Sequence, residues 1–151
     1  MGNKSYDKIL ELFTNVYRSH RNYIRLANSD MDRNCYTFNK ALDDNIQYEK
    51  ELENFLYNKL GFKIYSSTFK YVKFQDHTEI AYKTVMDLLK KLVKAEREFV
   101  KTAISYNNKE TDYNHYIKYC KKFDEAVFNV ESVFNNLPLG KNNINLSALR
   151  V

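Results

Sequence analysis

A chain of 151 residues with one proline and three glycines has almost nothing with which to turn sharply. Sandwiches and barrels need a turn signal roughly every 8–12 positions, and collagen-like or linker-like chains need far more Gly and Pro. An all-α fold is what remains. The breakers sit where helices would end: Gly61 in mid-chain, Pro138 and Gly140 near the C-terminus, and Gly2 before the first helix. With 44% apolar residues, a chain of this size buries roughly two-thirds of the surface its unfolded form exposes. A single helical domain over residues 1–140 with a flexible tail over 141–151 fits that size.

Apolar side chains recur at steps of three and four through Tyr6, Ile9, Phe13, Val16, His20, Tyr23 and Ala27, and on to Leu60. That is the period of a helix with one face turned to a core. Ser5 is placed to cap the start and Gly61 to stop the series. Asn28-Ser29-Asp30 and Asp43-Asp44-Asn45 are two places where it divides. Neither contains Gly or Pro, so one rod and two helices both stay open. The rhythm fails over residues 62–75, where β-branched and aromatic residues surround Ser66-Ser67-Thr68. This stretch reads as an ordered connection with a short helical turn, long enough to hold a partner. Periodicity resumes after Asp76-x-x-Glu79, the spacing of a capping box. It continues through Ala81, Val85, Leu89, Leu92 and Phe99, then past Asn107-Asn108 through Cys120, Phe123 and Val130 to Phe134. Pro138 forbids continuation. The expected architecture is an elongated antiparallel helical bundle of three to four long helices; a two-helix coiled-coil hairpin is the other arrangement the spacing allows.

The formal charge is +5 and the isoelectric point about 9.0, a mild excess that favours acidic partners without indicating nucleic acid by itself. Cys35 and Cys120 match no metal, haem or redox spacing and read as reduced, buried thiols. No apolar run reaches the ~18–20 residues needed to span a membrane, and no signal-peptide pattern opens the chain. A soluble, cytoplasmic protein is expected. The start, Met1-Gly2-Asn3-Lys4-Ser5-Tyr6, comes near an N-myristoylation motif but carries its serine one position early.

Two stretches carry a family pattern. The first runs through Asn15, Arg21-Asn22, Ile24, Ala27 and Ser29-Asp30-Met31-Asp32; the second through Leu89, Leu92, Glu96, Phe99, Tyr106-Asn107, Tyr113-Asn114 and Ile117. They resemble the LemA family, bacterial proteins built on a helical bundle that usually follows an N-terminal membrane anchor. The resemblance covers half of the chain. The anchor is missing, and Arg33–Ile46 has no counterpart to the family's Lys-Arg-rich segment. What it implies is fold more than chemistry, because the family has no defined catalytic activity and no agreed site residues. It implies one continuous helix over residues 77–136 and an ion pair between Glu96 and Arg21 that would fix helix register. Asn107 and Asn114, two turns apart, either hydrogen-bond across the bundle or lie on its surface.

Catalysis is not expected. A di-iron bundle needs two Glu-x-x-His motifs, and the nearest match is a single Asp112-x-x-His115. His20 lies in core register and reads as a histidine satisfied by a neighbour; His77 belongs to a cap region and His115 to a polar face. Three scattered glycines cannot build a phosphate loop, so no cofactor or metal is expected. The remaining candidate is a surface. Lys90, Lys94, Arg97 and Lys101 form one stripe opposite the apolar face of their helix, and Arg18, Arg21 and Arg25 form a shorter cluster. Such a stripe can hold phosphates or anionic lipid headgroups. It is also what a solvated helix face ordinarily carries, here diluted by Asp87 and Glu98. Thirteen tyrosines exceed what a core needs and favour protein contacts. The leading expectation is a non-enzymatic bundle that binds another protein. A peripheral binder of anionic lipid or nucleic acid, a small phage or viral protein that blocks a host factor, and a metal-binding bundle are the alternatives.

Overall fold

The computed structural model describes residues 3–30, 36–75, 77–106 and 110–135. Its elements, in chain order, are α1 (Asn3–Asp30), α2 (Tyr36–Leu60), β1 (Phe62–Tyr65), β2 (Thr68–Tyr71), α3 (Glu79–Tyr106) and α4 (Glu110–Asn135). The fold is mostly helical, with one small antiparallel sheet among the described residues. The periodicity places the core correctly: Ile9, Phe13 and Val16 of α1, Leu52 and Leu56 of α2, Val85 and Leu89 of α3, and Phe123 and Val130 of α4 are all buried together. The closest backbone packing joins α2 to α3 and α1 to α4. Large rings pack within and between these pairs: Phe13 of α1 meets Phe134 of α4, and Tyr23 of α1 meets both Phe123 of α4 and Phe99 of α3.

Helix boundaries settle several open points. Helix α1 ends at Asp30, the first of the two candidate breaks, whereas α2 runs straight through Asp43-Asp44-Asn45. Asn45 stays helical with its side chain buried, its amide donating across to the Ala95 carbonyl and back to the Ala41 carbonyl one turn earlier. Helical structure is already present at Asn3, so Ser5 lies within α1 and does not cap it. For α3 the cap is Thr78, whose hydroxyl accepts from the Ala81 N–H at 3.1 Å; Asp76 lies outside the described residues. The continuous helix over 77–136 is not found. The Tyr82 and Phe134 rings stack edge-on at 4.8 Å, whereas one straight helix would set them ~80 Å apart. Residues 107–109 lie outside the described residues.

The stretch read as a connection with a helical turn is a β-hairpin. Phe62 pairs with Tyr71, Lys63 with Lys70, Ile64 with Phe69 and Tyr65 with Thr68. Its turn residues, Ser66 and Ser67, both take positive φ (46° and 70°), the pattern of a type I′ turn, which ordinarily advertises itself with Asn-Gly. Arg18 of α1 steadies the turn, its Nε donating to the Ser67 carbonyl at 3.1 Å and its Nη2 to Thr68 Oγ1 at 3.0 Å. Alternation sends Phe62 and Phe69 into the core against Phe13. The Thr14 hydroxyl accepts from the Phe69 N–H at 3.0 Å, which covers part of an edge that would otherwise offer a free donor to another chain.

Gly61 joins α2 to this hairpin. Its φ is +72°, its N–H closes the helix on Tyr57 O at 3.1 Å, and its carbonyl accepts from the Val72 N–H at 2.9 Å. A side chain there would collide with the Lys73 carbonyl. Gly61→Ala is therefore expected to cost about 2 kcal/mol or more in urea unfolding, from left-handed strain plus the clash. A change of under half that would mean the hairpin base rearranges freely.

Candidate functional site

A groove of about 440 Å3 opens between α2 and α3. Two small side chains line it, Ala41 of α2 and Ala95 of α3. Tyr48 and Thr102 line it further along, with Lys40, Asp44, Lys91, Lys94 and Glu98 at the rim. Lys40 is tied to Asp44 at 3.1 Å. Lys91 and Lys94 make no ion pair among the described residues, so their positive charge is available to an occupant.

The basic stripe meets this groove along one edge. Lys90, Lys94, Arg97 and Lys101 are all solvent-exposed on α3, as their spacing predicts. Lys94 belongs to both stripe and groove. The arginine cluster on α1 does not survive as a free surface. Arg18 holds the hairpin turn, and Arg21 lies half-buried over the Tyr17 ring at 5.2 Å. Only Arg25 of the three is exposed without such a contact among the described residues.

Directly beneath the groove lies a buried polar cluster. Asn45 Nδ2 donates to the carbonyl of Ala95 at 3.0 Å and to that of Ala41 at 2.8 Å. With its amide group so fixed, Asn45 Oδ1 accepts from the Tyr23 hydroxyl and faces His20 Nε2 at 3.3 Å. The other ring nitrogen of His20, Nδ1, meets Glu49 Oε1 at 3.1 Å. Tyr17 donates to the Glu49 carbonyl at 2.7 Å. Burial pushes the Tyr17 and Tyr23 hydroxyls well above their usual range, with the nearby carboxylates adding to the rise. His20 is thus the satisfied core histidine the register suggests. His77 is another: it is buried, with Nδ1 at 2.8 Å from the Tyr82 hydroxyl and Nε2 donating to the Leu60 carbonyl at 2.9 Å.

Glu96 overturns its expected pairing. Arg21 turns to α2, reaching Glu49 at 3.5 Å and Glu53 at 3.8 Å. Glu96 sits on α3 with 1% of its surface exposed, hydrogen-bonded to the Cys120 thiol of α4. Its Oε2 is buried without a hydrogen-bond partner among the described residues. Burial pushes the Glu96 carboxyl up to about 7; the thiol hydrogen bond pulls it back, Asp124 adds to the rise and Arg97 offsets part of it. Burial and then Glu96 push the Cys120 thiol far up. That leaves a poor nucleophile and a free, buried cysteine.

No family model matches the chain, and no curated protein or solved structure matches it either. The remaining family-like positions scatter. Asn22 is exposed on α1; Asp30 ends α1, Tyr106 ends α3, and Tyr113 and Asn114 lie early in α4. Asp32, Asn107, Cys35 and residues 141–151 lie outside the described residues. Among the described residues, no cluster of three or more His, Cys, Asp or Glu is placed to hold a metal. No helix there is long and apolar enough to cross a membrane. The groove residues Tyr48 and Lys91 were not singled out by periodicity, because a groove depends on which helices adjoin.

Proposed function

We propose that the protein is a non-enzymatic, LemA-like elongated antiparallel helical bundle that binds another protein, and that the α2–α3 groove takes an acidic, amphipathic segment of that partner. The observation that carries this reading is the pairing of two uncommitted lysines, Lys91 and Lys94, with the apolar lining of Ala41, Ala95 and Tyr48. Tyrosine offers such a segment apolar area with a polar tip. A non-enzymatic role is supported by the commitment of His20, His77 and Cys120 to core contacts.

Affinity capture from source cells tests this with wild-type and Lys91→Glu/Lys94→Glu protein side by side. Reversing rim charges lowers the association rate and raises the cost of a wrong pairing, so a protein retained by the wild type is expected to be lost by the variant. Equal retention by both would remove the groove from consideration.

A further inference from the structure

The outer face of the hairpin carries an arrangement that neither the core nor the α2–α3 groove uses. From residue 54 to residue 75 the chain has four lysines, Lys59, Lys63, Lys70 and Lys73, and no Asp or Glu. Alternation turns Lys63 and Lys70 to the same exposed face, where they are direct cross-strand partners. Like charges directly opposite each other are unfavourable in a sheet, and no acidic side chain forms a salt bridge with any of these four lysines among the described residues. Two of the four, Lys63 and Lys73, lie beside rings instead. Lys63 Nζ lies 5.3 Å from the Tyr65 ring centre and 5.5 Å from that of Tyr57, and Lys73 Nζ lies 4.2 Å from Tyr57.

Exposed aromatic area completes the strip. Tyr65 is 44% exposed and Phe74 is 77% exposed, with Val72 and Lys70 between Phe74 and the turn. Strand β2 spans about 10 Å from Thr68 to Tyr71, and the chain bends at Lys73 before Phe74. We infer that this face is a binding platform for single-stranded nucleic acid, in which Lys63, Lys70 and Lys73 neutralise phosphates while Tyr65 and Phe74 stack on bases. Every base offers a π-face, so such a platform tolerates any sequence. Bridging phosphates also relieve the repulsion between Lys63 and Lys70. A lipid surface fits less well. The hairpin tip that would insert is Ser66-Ser67, polar and tied down by Arg18. A duplex hides the base faces that the rings would stack on.

The inference stands apart from the groove, since none of its residues line it. The test is fluorescence anisotropy with a labelled oligothymidine single strand at several salt concentrations, with duplex DNA and phosphatidylserine vesicles as parallel probes. Binding is expected to weaken with salt, by about 0.7 log units of affinity per log unit of salt for each phosphate neutralised. Lys63→Gln/Lys70→Gln is expected to weaken binding and flatten that slope by about 1.4. Tyr65→Ala and Phe74→Ala are each expected to lower affinity about tenfold at unchanged slope. Lys90→Gln, on the exposed face of α3 outside the groove, is expected to leave binding intact. All substituted side chains are surface-exposed, and a thermal melt confirms that each variant is folded. No binding to the single strand, unchanged affinity in Lys63→Gln/Lys70→Gln, or binding to vesicles in its place overturns the inference.

Discussion

Glu96→Gln is expected to stabilise the protein above neutral pH, by up to about 3 kcal/mol near pH 8. In the folded chain, burial first, and Asp124 in addition, hold the Glu96 carboxyl protonated to about pH 7, against a usual value of 4.5. Tyr23 of α1 and Cys120 of α4 also face it, and Arg97 on its own helix works in the opposite direction. Between those two values the folded chain keeps a proton that the unfolded chain has released. Stability therefore falls as pH rises from about 4.5 to about 7 and levels off above that. Glutamine keeps the shape and a polar partner for Cys120 without a charge to desolvate. Urea unfolding at several pH values between 4 and 9 is expected to give curves that diverge through this window, with the variant the more stable at the alkaline end. If wild type and variant track each other at every pH, Glu96 is ionised in the fold and its burial is tolerated by other means.

The second large effect belongs to Asn45. One side chain donates to two helices' carbonyls and accepts from Tyr23, so Asn45→Ala removes hydrogen bonds that tie α2 to α1 and α3 together. Each lost hydrogen bond costs about 0.5–1.5 kcal/mol net, and a total near ~3 kcal/mol for the three is expected in chemical unfolding. Tyr23→Phe, which also removes a hydroxyl near His20, is expected to cost about 1–2 kcal/mol. The pair is expected to be non-additive by more than about 0.5 kcal/mol, as for residues in one network. Strict additivity would mean that the cluster is a set of independent contacts and does not fix helix register.

Helix periodicity carries most of this fold because helices make their hydrogen bonds locally. The core faces of all four helices follow from three- and four-residue spacing, and scarce breakers leave few places to end a helix. The hairpin escaped because its turn uses Ser66 and Ser67, residues with no positive-φ reputation, and because its four-residue strands are too short for alternation to stand out. Asn45 and Glu49 were legible in principle. They occupy the same series as Leu42, Leu52 and Leu56, at steps of three and four, but an eye for apolar residues passes to Ile46 instead. Glu96 shows the opposite limit. Its burial follows from Leu92 and Phe99 beside it, yet its partner depends on α4 lying next to α3, which only packing decides. The exposed stripe on α3 was readable from spacing alone. The groove beside it was not, because its lining joins Ala41 and Ala95 across 54 positions of sequence.

The claim that the α2–α3 groove is where a partner docks is tested most directly by site-specific photo-crosslinking in source cells. A photoreactive amino acid in place of Tyr48 samples the groove, and the same group in place of Phe128 samples the exposed face of α4. The expected result is a defined crosslinked protein from position 48, absent from position 128 and abolished when Lys91→Glu/Lys94→Glu is added. Crosslinks of equal yield from both positions, or none from position 48, would contradict it.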